Sequence, residues 1–99
     1  MSEDFFAPPP FNPESALATL KRNLRDLRLA ERAGAFELQG QPVVRARIDG
    51  ASLHLEIARR PARSPDWETQ VASDHAQLRK FTDELKRRLA RWSERGSDD

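Results

Sequence analysis

The stretch VVRARIDGASLHLEI, residues 43–57, alternates apolar and polar side chains on either side of an Asp-Gly pair. A period of two over this length reads as strands with one face covered by a core. Asp-Gly between two such runs is a strong hairpin signal. With Asp49-Gly50 as a two-residue type I′ turn, Ile48 faces Ala51, Ala46 faces Leu53 and Val44 faces Leu55, all on one face. The other face pairs Arg47 with Ser52, Arg45 with His54 and Val43 with Glu56. The preceding AFELQGQP adds a strand with Phe36 and Leu38 inward. An odd connection around Gly40-Gln41-Pro42 sets Leu38 opposite Val44 and Glu37 opposite Arg45. A three-stranded meander of this kind needs an apolar cover on one side.

Two helical segments supply it. Asn12 is a good N-cap, Pro13 fits the first helical position and Glu14 complements the macrodipole. Leu17, Leu20, Leu24 and Leu27 then recur on one face, and the phase holds to about Arg28. LAERAGAF, where the phase fails, is frayed helix or an extended segment turning at Ala33-Gly34. Farther on, Ser64, Pro65 and Asp66 suit a helix start, and Trp67, Val71, Leu78, Phe81, Leu85, Leu89 and Trp92 share one phase. The reading taken is a helix from Pro65 to Ser93. In the alternative, Ser73-Asp74 is a second N-cap and WETQVA a fourth strand near 67–72. The expected fold is α+β, in the order α-β-β-β-α, with both helices on one face of the sheet and solvent on the other. Residues 13–94 form the domain. Residues 1–12 are a Pro/Phe-rich arm and 95–99 a disordered acidic tail.

Composition narrows the chemistry. The chain has no cysteine, which excludes disulfides, thiol nucleophiles and cysteine-ligated metals. MSEDFF lacks the basic and apolar regions of a secretion signal, and no apolar run approaches membrane-spanning length. A cytoplasmic location is expected. Five of the 16 acids lie in residues 1–14 and at 98–99, where there are no bases. Residues 15–97 hold all 17 bases, 14 of them arginine, against the remaining 11 acids. The body is basic and its ends are acidic. A GC-rich bacterial genome also yields a chain rich in Arg, Ala and Leu, and a bacterial source is the reading taken.

No catalytic constellation emerges. Glu37, Arg45 and His54 form a polar row, but an open sheet face lacks the concavity and desolvation that shift pKa values. Opposed charges across strands are ordinary on a solvated sheet. His54 and His75 lie on different elements with no second ligand at metal spacing, so no metal is expected. There is no Gly-rich phosphate loop or nucleophile elbow, and Asp83-Glu84 point to different sides of a helix. The chain reads as non-enzymatic and without a cofactor.

Two partner classes remain. A helix of about 43 Å would carry more apolar length than strands of about 20 Å can cover. Leu85, Leu89 and Trp92 are therefore candidate protein-binding residues, through a partner or a homodimer. Phe5, Phe6 and Phe11 flank Pro8-Pro9-Pro10, a run that favours an extended form ready to dock. The alternative is nucleic-acid binding through Lys21, Arg25, Arg28, Arg59, Arg60 and Arg63. Arg87, Arg88, Arg91 and Arg95 read as bases that suit a helix C-terminus and flank its apolar stripe. The αβββα order resembles double-stranded-RNA-binding domains, which open their second helix with lysines. Here that position reads Ser64-Pro65-Asp66-Trp67-Glu68, and the resemblance stops at element order. VRARIDGA is similar to the central hairpin of small bacterial nucleoid-associated proteins, a turn too common to assign a family.

Overall fold

The computed structural model describes residues 11–97. Phe5 and Phe6 lie outside them. The element order is α1 (Pro13–Asp26), β1 (Ala30–Arg32), β2 (Ala35–Leu38), β3 (Gln41–Asp49), β4 (Ser52–Ala58), β5 (Trp67–Ala72) and α2 (His75–Ser97). The strands make one antiparallel meander in the order β1-β2-β3-β4-β5. The α+β class holds, with five strands in place of the three expected.

Capping explains where the helices begin and end. The Asn12 side chain accepts from the Ser15 N–H at 3.1 Å, with Pro13 in the first turn. At the other end Arg28 takes φ 68°. Its N–H donates to Arg25 O at 2.9 Å, and the Leu29 N–H donates to Leu24 O at 3.1 Å. This is a Schellman closure with arginine where glycine is usual. It swings Leu29 back into the core beside Leu24, both buried. Helical phase had placed Leu29 outside; the left-handed residue before it reverses that.

The expected helix from Pro65 is corrected. Trp67–Ala72 pairs with β4 over its whole length, and the helix starts only at His75. Asp74 caps it, accepting from the Gln77 N–H at 2.8 Å, while Gln77 Oε1 accepts from the Ser73 N–H at 2.6 Å. That reciprocal pair is close to a capping box. An unbroken helix would also have left β4 as a bare sheet edge.

Turn geometry corrects the registers. Ala33-Gly34 and Gln39-Gly40 each have two positive φ angles, as two-residue type I′ turns require. The second pairs Leu38 with Gln41, so Glu37 faces Pro42 and not Arg45. Only Gly50 is positive at the next turn, at φ 62°, the pattern of a type II′ turn with glycine first. Asp49 therefore stays in the strand opposite Ser52, and Arg45 faces Glu56 while Arg47 faces His54. The shift from the expected pairing is two residues, so the side chains from Val44 to Ile57 keep their faces. A bulge between the Phe36–Val44 and Glu37–Pro42 pairs leaves Val43 unopposed. It lets consecutive Val43 and Val44 both be buried.

One row crosses all five strands: Glu31, Phe36, Val44, Ile57 and Glu68. Its apolar middle lies in the core with Leu20, Leu24, Phe81 and Leu85 of the helices. Each end is a carboxylate held by a helix. Lys21 Nζ and Arg25 Nη2 of α1 reach Glu31 at 3.0 and 3.6 Å, and Arg88 Nη2 of α2 reaches Glu68 at 2.7 Å. Both helices are thus tied to the same sheet face.

These ion pairs make stability pH-dependent. Hydrogen bonding from Lys21 holds the Glu31 carboxyl below the usual glutamate range, and bonds from Arg88 and Arg87 do the same for Glu84. A lowered native pKa stabilises the fold above the unfolded value of about 4.3 and is lost as pH falls through the native value. Urea midpoints measured from pH 7 to pH 3 are expected to fall by the equivalent of about 1 kcal/mol from these partly exposed groups. Glu31→Gln should flatten part of that slope, and an unchanged slope would remove Glu31 from the account.

Candidate functional site

The face away from the helices carries the surface chemistry. Arg45 is its hub: Nη2 donates to Glu56 Oε2 at 2.9 Å, and its guanidinium carbon stands 4.2 Å from the Trp67 ring centroid. Strand alternation puts Trp67 on this face, opposite Ala58, where helical phase had put it in the core. The loop from Arg59 to Asp66 closes on itself through the Arg59 N–H and Asp66 O at 2.9 Å. Its Arg63, Ser64 and Pro65 stand across from Arg32 and Ala33 of the β1–β2 hairpin, leaving a trough of about 340 Å³. Ala35, Pro42 and Trp67 give it an apolar interior, buried or half-buried, and Arg32, Arg45 and Arg63 are exposed on its rim. Glu37 is the one carboxylate among its lining residues. Neither Arg32 nor Arg63 forms an ion pair among the described residues.

The residues expected to bind protein fall elsewhere. Leu85 is fully buried and Trp92 is 7% exposed, both within the chain's own core. Leu89 is half-buried against that core. With the helix starting at His75 and five strands beneath, the excess apolar length is gone, so these residues present no free seam. Phe11 is half-buried, and its ring stands edge-on to the His75 ring with centroids 5.2 Å apart.

The two groups of bases are not brought together. Lys21 and Arg25 attach to Glu31 on one edge strand, whereas Arg59 attaches to Glu68 on the other at 3.4 Å. Four strand spacings, about 19 Å, separate those edges. Arg28 closes α1 through its backbone N–H and leaves its side chain exposed there, and Arg60 and Arg63 are exposed on the distant loop. Glu37, Arg45 and His54 do not form a row, because Arg45 faces Glu56. Among the described residues no group of three or more His, Asp or Glu is placed to hold a metal, and no helix is long and apolar enough to cross a membrane.

Trp67 and Arg32 are the site residues that sequence reasoning missed. Reading WETQVA as a strand puts Trp67, Thr69 and Val71 on the polar face. Ala33-Gly34, read as a turn, carries Arg32 to the same side. Comparison with protein-family models, curated proteins and solved structures finds no match.

Proposed function

We propose that this is a non-enzymatic protein-interaction domain whose binding surface is the sheet face that no helix covers, centred on the trough beside Trp67. The observation that carries the reading is the convergence of Arg32, Arg45 and Arg63 around an apolar interior of Ala35, Pro42 and Trp67. Such a site suits an extended protein segment that carries carboxylates for the arginine forks and an apolar side chain for the floor. A non-catalytic role is supported by the burial pattern: among the described residues no polar or charged residue is buried. In the trough Arg32, Arg45 and Arg63 are exposed, so it lacks the desolvation that tunes an acid or a base.

Amide and indole NMR tests it, with a short peptide alternating aspartate and phenylalanine as the probe. Saturable shifts at the Trp67 indole N–H and in the Arg63 loop are expected, with affinity reduced about tenfold by Arg45→Gln together with Arg63→Gln. Shifts that ignore these substitutions, or none at all, would remove the trough as the site. Nucleic-acid binding is the second reading, favoured by arginines beside the half-buried ring of Trp67. If a mixed-sequence oligonucleotide moves the same signals more strongly than the peptide, and its affinity falls steeply with salt, that reading takes first place.

A further inference from the structure

We propose that the trough is filled by residues 3–6 of a second copy of this chain, Glu-Asp-Phe-Phe, making a reciprocal homodimer. The inference rests on the interaction reading above and names its partner. Charge complementarity carries it. Residues 1–14 bear three acids and no base, while the body they precede is basic. The trough offers the guanidinium groups of Arg32 and Arg63 for Glu3 and Asp4, Arg45 being already bonded to Glu56, and a tryptophan, a proline and an alanine for Phe5 and Phe6. This segment is present at one equivalent per trough in any solution of the protein.

Distance decides between the chain's own trough and a neighbour's. Phe11, packed on the core against His75, fixes where the segment leaves the fold. That point is on the helix side, near the Ala72 end of β5. Trp67 is five residues along the strand, about 17 Å away, and its side chain is on the opposite face. Passing from one layer to the other adds about 10 Å. The five residues from Phe6 to Phe11 span at most about 18 Å when fully extended. The Phe6 backbone therefore stops about 9 Å short of the Trp67 backbone on that path, so an intrachain contact would need the arm fully extended and both rings stretched across the gap. A second copy meets no such limit, and a twofold arrangement fills both troughs at once.

Sedimentation of the full chain over a range of concentrations tests this. A monomer–dimer equilibrium is expected, with dissociation at least about tenfold easier for Phe5→Ala with Phe6→Ala. Those positions precede the described fold, so the substitutions test docking without emptying the core. Because the chain has no cysteine, single thiols report the geometry. Asp4→Cys mixed with Arg63→Cys should yield mainly the mixed disulfide-linked pair under mild oxidation. A chain that stays monomeric, a dimer indifferent to Phe5 and Phe6, or an intrachain disulfide in the Asp4→Cys, Arg63→Cys double variant would each overturn the proposal. If the chain stays monomeric while the aspartate–phenylalanine peptide still shifts Trp67, self-docking fails and the interaction reading stands. If the peptide also leaves Trp67 unmoved, both fail.

Discussion

Phe81→Ala is expected to remove about 4 kcal/mol of stability, most of what a domain this small holds in reserve. Phe81 has no exposed surface and is the largest of the fully buried side chains. It projects from α2 into the cluster shared by Leu20 and Leu24 of α1 and by Leu55 and Ile57 of β4. Truncation loses the transfer free energy of a phenyl ring and leaves a cavity that three different elements would have to close. In thermal unfolding this is a fall of about 20 °C. Val71→Ala, on the exposed face of β5 where the valine is 54% exposed, should change stability by no more than about 0.5 kcal/mol. Urea unfolding followed by the fluorescence of Trp92, buried in the same core, compares the two. A loss below about 1 kcal/mol for Phe81→Ala would mean that the helix packs loosely and that the sheet holds the fold alone.

Local signals that depend on one residue type were legible in the sequence. Asn12-Pro13-Glu14 announces α1, and the leucine phase identifies its buried stripe. The alternation around residues 43–57 sorts the side chains of that hairpin to their correct faces except Val43, expected opposite Glu56 on the polar face and buried in the core by the bulge. What escapes is anything decided by a φ angle that the residue type does not reveal. Arg28 and Gln39 sit in the left-handed region that L side chains other than Asn and Asp seldom adopt. One ends a helix early and the other sets a register. Asp49-Gly50 shows the same limit from the other side, since the strongest turn signal in the chain fixed the faces and missed the pairing by two residues. For Trp67–Ala72 the two periods compete over only six residues. The deciding signal was Asp74 with Gln77, a capping pair at the right spacing, just downstream.

That single choice moved the candidate site. Read as helix, Trp67 is core, and the far half of α2 is an apolar seam without a cover. Read as strand, it adds a fifth ribbon to the sheet, buries Leu85 and Trp92 beneath it, and exposes Trp67 to Arg45. The seam's phase was right from the start. Its availability was not a property of the helix at all, because it depends on how wide a sheet the rest of the chain builds.

Arg88 is the second position where a large effect is expected. Helical phase sets it about 60° from the centre of the Leu78, Phe81, Leu85, Leu89 and Trp92 stripe and Arg87 about 160° from it, a difference that grouping the two as flanking bases passes over. Its side chain is 12% exposed, against 66% for Arg87. Three nitrogens are used on three separate elements: Nε donates to Glu84 Oε2 at 2.7 Å, Nη1 to Ala58 O at 3.0 Å and Nη2 to Glu68 Oε1 at 2.7 Å. Burial works against the charge, yet hydrogen bonds to Glu84 and Glu68 outweigh it and raise the pKa above the usual arginine range. Arg88→Met keeps the apolar stem and removes the fork, taking a donor from the carbonyl of fully buried Ala58. Glu68 and Glu84 keep Arg59 and Arg87 as partners, so the loss stays below that of an isolated buried charge. About 2–3 kcal/mol is expected, measured by urea unfolding. Arg88→Lys should recover less than half, because one ammonium cannot reach a helix carboxylate, a β4 carbonyl and a β5 carboxylate together. Arg87→Met, which removes only a solvated i,i+3 pair, should cost about 0.5 kcal/mol or less. Equal losses at 87 and 88 would mean that water already screens the network, and that β5 is held to α2 by apolar contact alone.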